Sequence, residues 1–81
     1  MTTENELALY AVFADALQIN LKSVTDELTY NSIPEWDSVG HMALVAVLEK
    51  RFGILLDTND IIDMSSVKVS KKILGKHNIQ F

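Results

Sequence analysis

Ser38 is the residue in this chain best placed for chemistry, because it comes directly after an aspartate, Asp37, and opens the run Val39-Gly40-His41-Met42. Asp37 suits a helix N-cap whose carboxylate accepts a hydrogen bond from the backbone N–H of Val39 or Gly40, which puts Ser38 at the first helical position. A hydroxyl there projects outward. A phosphate ester on that oxygen would lie beside N–H groups without a helical acceptor and at the positive end of the helix dipole, both of which favour negative charge. The chemistry on offer is therefore attachment. Hydrolysis is a weaker reading: no Gly-x-Ser-x-Gly elbow surrounds Ser38, and His41 stands one turn along on the core-facing side, which does not make a triad. His41 reads instead as a packed, hydrogen-bonded residue at the margin of the core.

Other chemistry-bearing residues give less. Asp57, Asp60 and Asp63 invite a calcium loop, but the sixth position is Ile62 in place of glycine and Lys68 stands where the bidentate glutamate belongs. Metal binding is rejected. The three acids read either as a solvated face or as a contact strip for basic enzymes near Ser38. The chain has no cysteine, and its two histidines, His41 and His77, are far apart in sequence, which leaves no thiolate metal site and no disulfide framework.

Helical spacing supplies the scaffold around Ser38. Thr3 and Glu6 have capping-box spacing, and Leu7, Tyr10, Ala14 and Leu17 repeat behind them, predicting a first helix over Glu4–Leu17. The connection from Gln18 to Trp36 is long for a helical bundle and predicts an ordered loop pinned by Leu21, Leu28, Tyr30 and Ile33. Pro34 disfavours helical geometry at Ile33 and keeps the loop from merging with the next helix. Trp36, just before the cap, reads as a hydrophobic staple onto the first turn. The second helix runs from Ser38 to Phe52, with Gly53 suited to a left-handed close. At a hundred degrees per residue His41, Leu44, Val45, Leu48 and Phe52 share one side, and Val39, Met42, Ala43 and Ala46 share the other with Lys50. One apolar face is core; the other is a docking surface beside Ser38, with Met42 as the adaptable contact. A short helix lies next, between Asp57 and Met64, in which one of Ile61 and Ile62 is core. Ser65 or Ser66 caps a last helix, with Val67, Ile73 and Leu74 inside, Lys68, Lys71, Lys72 and Lys76 wet, and Gly75 at its end. Helical periodicity throughout predicts an all-α, four-helix bundle with three longer helices and one short one, in a single domain over residues 1–81.

The stretch Asp37-Ser38-Val39, the close at Leu48-Glu49 and Phe52-Gly53-Ile54, the acidic segment Asp57 to Asp63 and the Ser-capped final helix together resemble the acyl carrier protein family, which includes peptidyl and D-alanyl carriers. The resemblance covers most of the chain. It implies that Ser38 carries 4'-phosphopantetheine, taken from coenzyme A by a phosphopantetheinyl transferase that also contacts Asp37, and that the arm's thiol holds an acyl or aminoacyl group as a thioester. The carriers of fatty-acid synthesis are rich in acids on the exposed side of the helix after the serine. Here Gly40, Ala43 and Lys50 stand there and Glu49 is the only acid, a pattern closer to peptidyl or specialised carriers. Pro34-Glu35-Trp36 likewise departs from the family's small, glycine-rich lead-in. Docking is then expected on Val39, Met42, Ala43 and Ala46, with acids from Glu35, Asp37, Asp60 and Asp63.

Composition bounds these readings. Eighty-one residues suffice for one small domain. Net charge is −4, unevenly spread, with seven acids against Lys22 before Ser38 and four acids against six bases from Ser38 onward. An acidic chain without a basic stripe is a poor nucleic-acid binder, so basic protein surfaces are the expected partners. The start, Met1-Thr2-Thr3-Glu4, lacks the pattern of a signal peptide, and no apolar run reaches membrane-spanning length, so an unprocessed cytoplasmic monomer is expected. The reading that unites these features is a non-enzymatic, stand-alone carrier phosphoprotein served by a loading enzyme and a downstream acyltransferase or synthase. The alternative is a helical adaptor that binds one protein through the exposed apolar face of the second helix and carries no arm.

Overall fold

The first helix, α1 (Glu4–Leu17), starts where its capping box closes: the Thr3 hydroxyl accepts from the Glu6 N–H at 3.1 Å while the Thr3 N–H donates to the Glu6 carboxylate at 3.0 Å. It stops at Gln18, which takes a left-handed conformation. The computed structural model describes residues 3–81, and the expectation drawn from Met1 and Thr2 lies outside them. Three further helices complete the chain, α2 (Ser38–Phe52), α3 (Thr58–Asp63) and α4 (Val67–Gly75), with a single 3-10 turn at Leu21–Ser23. The described residues thus form an all-helical bundle of three longer helices and a short one. No helix among them is long and apolar enough to cross a membrane.

The core is built between α1 and α2 and closed by the other elements. Leu9, Phe13 and Leu17 of α1 meet Leu44 and Leu48 of α2, with Trp36, Met64, Val67 and Leu74 filling the remaining sides. The stripe expected on α1 is corrected, because of its four residues only Leu17 is buried, Tyr10 and Ala14 are half-buried and Leu7 is 55% exposed, and the buried face is Leu9, Val12, Phe13 and Leu17. From Leu7 to Phe13 the helix is apolar nearly all round, so periodicity alone does not select the face. The partner helix selects it. On α2 the expected stripe is the buried one: Leu44, Val45 and Leu48 are inside, with His41 and Phe52 half-buried, and Gly53 closes the helix at φ 64°.

The connection before α2 is an ordered loop, but its anchors differ from those expected. Leu28 is buried as expected, whereas Leu21 and Tyr30 are exposed and Ile33 is half-buried; Val24 and Trp36 take their places. The loop is also held through its backbone. The carbonyls of Leu28 and Asp26 accept the N–H groups of Val67 and Lys68 at 3.0 and 3.2 Å, and Tyr30 N–H donates to the Ser65 carbonyl at 2.9 Å. Of the two candidate caps it is Ser66 that serves, its hydroxyl accepting from Val69 N–H at 3.0 Å. The first three N–H groups within α4, those of Val67, Lys68 and Val69, are therefore satisfied by loop or cap.

Lys71, expected on the wet side of α4, is drawn inward instead. Its ammonium donates to Glu6 and to the Tyr10 hydroxyl, both at 2.8 Å, and lies 2.9 Å from the Asp26 carboxylate. Hydrogen bonding to Lys71, with the Thr3 N–H second, holds the Glu6 carboxyl down at about 2. Burial works to lower the lysine's own value, but its bonds to Glu6, Tyr10 and Asp26 outweigh it and push the value up. The cluster joins α1, the loop and α4, so the acidic first half and basic second half of the sequence are stitched together in space. Gly75 is the last helical residue as expected, while the left-handed turn beyond it falls at Asn78, with φ 67°.

Candidate functional site

Three local devices present Ser38 at the first position of α2. The first is the cap: Asp37 is extended, its carboxylate accepts from Gly40 N–H at 2.8 Å, and its carbonyl accepts from His41 N–H at 2.8 Å. Of the two acceptor patterns open to the sequence, the bond to Gly40 is the one formed. The second is an anchor. Trp36 is fully buried, sits edge-on to Phe13 at 5.2 Å, and lies side by side with His41 with ring planes 15° apart, in contact with the first turn as expected for a staple residue just before the cap.

The third device, a missing Cβ, is not legible in the motif. A side chain at Gly40 would collide with the Glu35 carbonyl and press on a Leu17 methyl at 3.2 Å. Glycine lets the lead-in fold back over the first turn of α2, and that fold turns Asp37 and Ser38 outward. The helical pattern groups Gly40 with the exposed side of α2; it is half-buried beneath the lead-in. A glycine in the first turn of a helix, where it costs about 0.5–1 kcal/mol relative to alanine, is the available signal.

Ser38 itself is exposed. The N–H groups of Ser38 and Val39 have no acceptor among the described residues, since the Asp37 carboxylate is taken by Gly40. An oxyanion on Ser38 Oγ would meet two free donors. Beside the serine lies a cleft of about 320 Å³. From α2 it is lined by Ser38, His41 and Met42, from α3 and the residues after it by Ile61, Ile62, Met64 and Ser65, and from the loop by Tyr30. Most of this lining is apolar. Nothing local to Tyr30, Met64 or Ser65 marks them as site residues, because they reach Ser38 only through the backbone pairing of the loop with the start of α4.

His41 ties the cleft together. Its Nδ1 accepts the Trp36 indole N–H at 2.9 Å, so the ring proton belongs on Nε2, which lies 2.8 Å from the Ile61 carbonyl and donates to it. Tyr30 stands edge-on to the imidazole at 5.4 Å. This is the packed, hydrogen-bonded histidine expected from sequence. The bonds consume both ring nitrogens and leave neither free to act on Ser38.

Around the mouth of the cleft, Val39 is 77% exposed, and the cleft-lining Met42 and Ile62 are 56% and 72% exposed. Ala43 and Ala46 continue the same open face of α2, and Glu35, Asp37 and Asp63 are exposed around it. Asp60 is a correction. Its carboxylate is expected in the acidic contact strip, but the residue is 4% exposed and is held by Lys76 at 2.8 Å and His77 at 3.1 Å. Hydrogen bonds from Lys76 and then His77 hold its carboxyl below the usual aspartate range. Asp60 therefore fastens α3 to the end of α4. Asp57 is occupied too, capping α3 through Asp60 N–H at 2.7 Å. Of the four acids expected in the strip, Glu35, Asp37 and Asp63 are exposed, Asp37 while it caps α2 as Asp57 caps α3. Comparison with family models and with curated proteins finds no match for this chain.

Proposed function

We propose that this chain is a carrier of the acyl-carrier type, bearing 4'-phosphopantetheine on Ser38. The observation that carries the reading is the exposed Ser38 hydroxyl at the first position of α2, standing at the mouth of an apolar cleft with two free backbone N–H groups beside it. The residues fit such a group. Ser38 Oγ is open to an incoming transferase, and the N–H groups of Ser38 and Val39 would donate to a phosphodiester oxygen, while Asp37 Oδ1 is held by Gly40 N–H. Bound there, the arm supplies the thiol that holds an acyl or aminoacyl group as a thioester, which this cysteine-free chain cannot supply itself.

Loading would join Ser38 Oγ to the pantetheine-side phosphorus of the coenzyme A pyrophosphate, break the P–O–P bridge and release adenosine 3',5'-bisphosphate, the serine proton passing to a base of the phosphopantetheinyl transferase, which also holds the magnesium. The protein's own contribution is to tether and present. A cargo linked to Ser38 is delivered locally to whichever enzyme holds the open face of α2, which raises its effective concentration without new chemistry by the carrier. Val39, Met42, Ala43 and Ala46, with Glu35, Asp37 and Asp63 at their edge, form the face a loading enzyme and a downstream acyltransferase or synthase would read. The scarcity of acids on α2 favours specialised biosynthetic partners that dock on apolar contacts. The carrier acts as a cytoplasmic monomer in this reading.

Intact mass before and after incubation with a broad-specificity phosphopantetheinyl transferase and coenzyme A tests the proposal. Wild type gains one phosphopantetheine and folded Ser38→Ala gains none. Absence of a gain on folded wild type, with a known carrier modified in parallel, overturns it. The exposure of Val39, Met42 and Ile62 also favours a second reading, an adaptor that binds one protein and carries no arm. On that reading Met42→Glu breaks a complex that Ser38→Ala leaves intact.

A further inference from the structure

The short helix α3 supplies the far wall of the cleft, and six residues make too few internal hydrogen bonds to hold it in place alone. The carbonyls of its last turn lack helical N–H donors, and the chain leaves the helix at Met64 in a non-helical conformation. One of those carbonyls, that of Ile61, is taken by His41 Nε2–H. The other ring nitrogen is fixed by Trp36, which is fully buried and cannot move along with α3. The result is a chain of two hydrogen bonds, Trp36 to His41 to Ile61, that runs from the core across the first turn of α2 to the cleft wall.

We infer that His41 is the positioning residue of the Ser38 site: it clamps α3 against the start of α2 and so sets the width of the cleft into which a group borne by Ser38 would turn. The clamp itself stands on the geometry of the protein. Its use on cargo rests on the carrier reading.

Spacing explains why the clamp acts on this site. His41 is three residues after Ser38 and therefore its neighbour on the helix surface, and both line the same cleft. The opposite end of the site is fixed independently, because Asp60 is tied to Lys76 and His77. Loss of the His41 contact would free the Ile61–Asp63 turn of α3 between two points that stay fixed, Asp60 and the buried Met64, so the wall would swing instead of detaching.

Amide hydrogen exchange and imidazole nitrogen NMR on the unmodified protein test the clamp. Wild type should show the Nε2–H tautomer, a protected Trp36 indole N–H and slowed exchange in α3. His41→Phe keeps an aromatic ring beside Trp36 but removes both hydrogen bonds, and should speed exchange of the α3 amides by about tenfold with α1 unchanged. His41→Gln, which can still donate to the Ile61 carbonyl, should recover part of that protection. Exchange in α3 that is already unprotected in wild type, or that His41→Phe does not change, overturns the inference; so does acceleration that is equal in α1, α2 and α3. If His41→Phe does not fold, the tautomer and the His41→Gln comparison decide it. An octanoyl group on the Ser38 arm adds the functional readout: hydroxylamine should cleave the thioester faster in the His41→Phe or His41→Gln variant than in wild type. Failure of the arm to load on wild type would count against the carrier reading and leave the exchange result standing.

Discussion

The openings of α2 and α4 use the same capping chemistry and end in opposite states. In α4 the cap Ser66 is backed by loop carbonyls, so that Val67, Lys68 and Val69 all donate to the protein, and the Thr29–Ser66 bridge seals the junction. In α2 the cap Asp37 satisfies Gly40, but Ser38 and Val39 donate to nothing among the described residues and their side chains face solvent. The contrast is larger in the side chains. At α4 even a lysine and two carboxylates are drawn into a shared cluster, whereas at α2 large apolar residues are left bare. One chain of this size can therefore close a helix opening thoroughly. What differs at α2 is that the lead-in passes behind the first turn, over Gly40, and leaves the front free.

Gly40→Ala attacks that arrangement most directly and carries the largest expected effect on stability. Alanine in a helix interior is worth about 0.5–1 kcal/mol over glycine where there is room. Here the added methyl meets the Glu35 backbone, and overpacking of this kind costs about 1–3 kcal/mol. The net change is a loss, read as a fall in Tm of roughly 4–8 °C for each kcal/mol in a domain of this size. Modification of Ser38 should slow as well, because the lead-in must shift. A rise in Tm would mean that the lead-in does not lie against Gly40, and the open front of α2 would need another explanation.

Lys71→Met tests the closed opening. It leaves Glu6 and Asp26 facing each other without their shared cation, so Tm should fall, by less than for Gly40→Ala because Asp26 is partly wet and water screens it. Its pH signature is sharper than its size. Glu6 is held at about 2 in the folded protein against an ordinary 4.5. A carboxylate with a lowered folded-state value contributes fully above 4.5, and that contribution is lost as pH falls toward about 2. Lys71 is raised, so its share is present below the usual lysine value of 10.5 and is lost as pH climbs beyond it. Urea midpoints across both intervals should fall more steeply for wild type than for Lys71→Met. Parallel curves would show that the cluster contributes nothing to the closure of α4.

What the sequence disclosed divides along the same line. The opening of α2 is legible because its determinants are local: the cap, the staple and the closing Gly53 lie within a turn of the positions they control, and the core stripe from His41 to Phe52 has a clean period. The closure of α4 is not. Lys71 reaches Glu6 across most of the chain, Asp60 is buried by residues sixteen and seventeen positions later, and nothing near either residue announces the partner. Both read as solvated charges, the usual state of such residues when no distant group calls them in. Leu7 fails for another reason, since an all-round apolar helix offers several faces and only packing chooses. The cleft combines both kinds of information: its α2 side is visible as an unclaimed apolar face, while Tyr30 and Ser65 arrive through loop pairing.

Met42→Glu is the smallest expected perturbation of the fold and tests whether the apolar front of α2 serves stability at all. Met42 is more than half exposed and points away from the buried stripe, so a charge there keeps its water and the change in unfolding free energy should stay within about 0.5 kcal/mol. Burial cannot then be the reason for an apolar residue at that position. Both functional readings require contact with a partner there, but they differ in the activity that the substitution removes. A carrier with Met42→Glu should still accept the arm, since Ser38 and its cap are untouched, and should lose turnover with partner enzymes that dock on α2. An adaptor should lose its one complex and show no modification at any stage. A fall in Tm as large as that of Gly40→Ala would instead place Met42 in the core, and the difference between the two helix openings would reduce to packing.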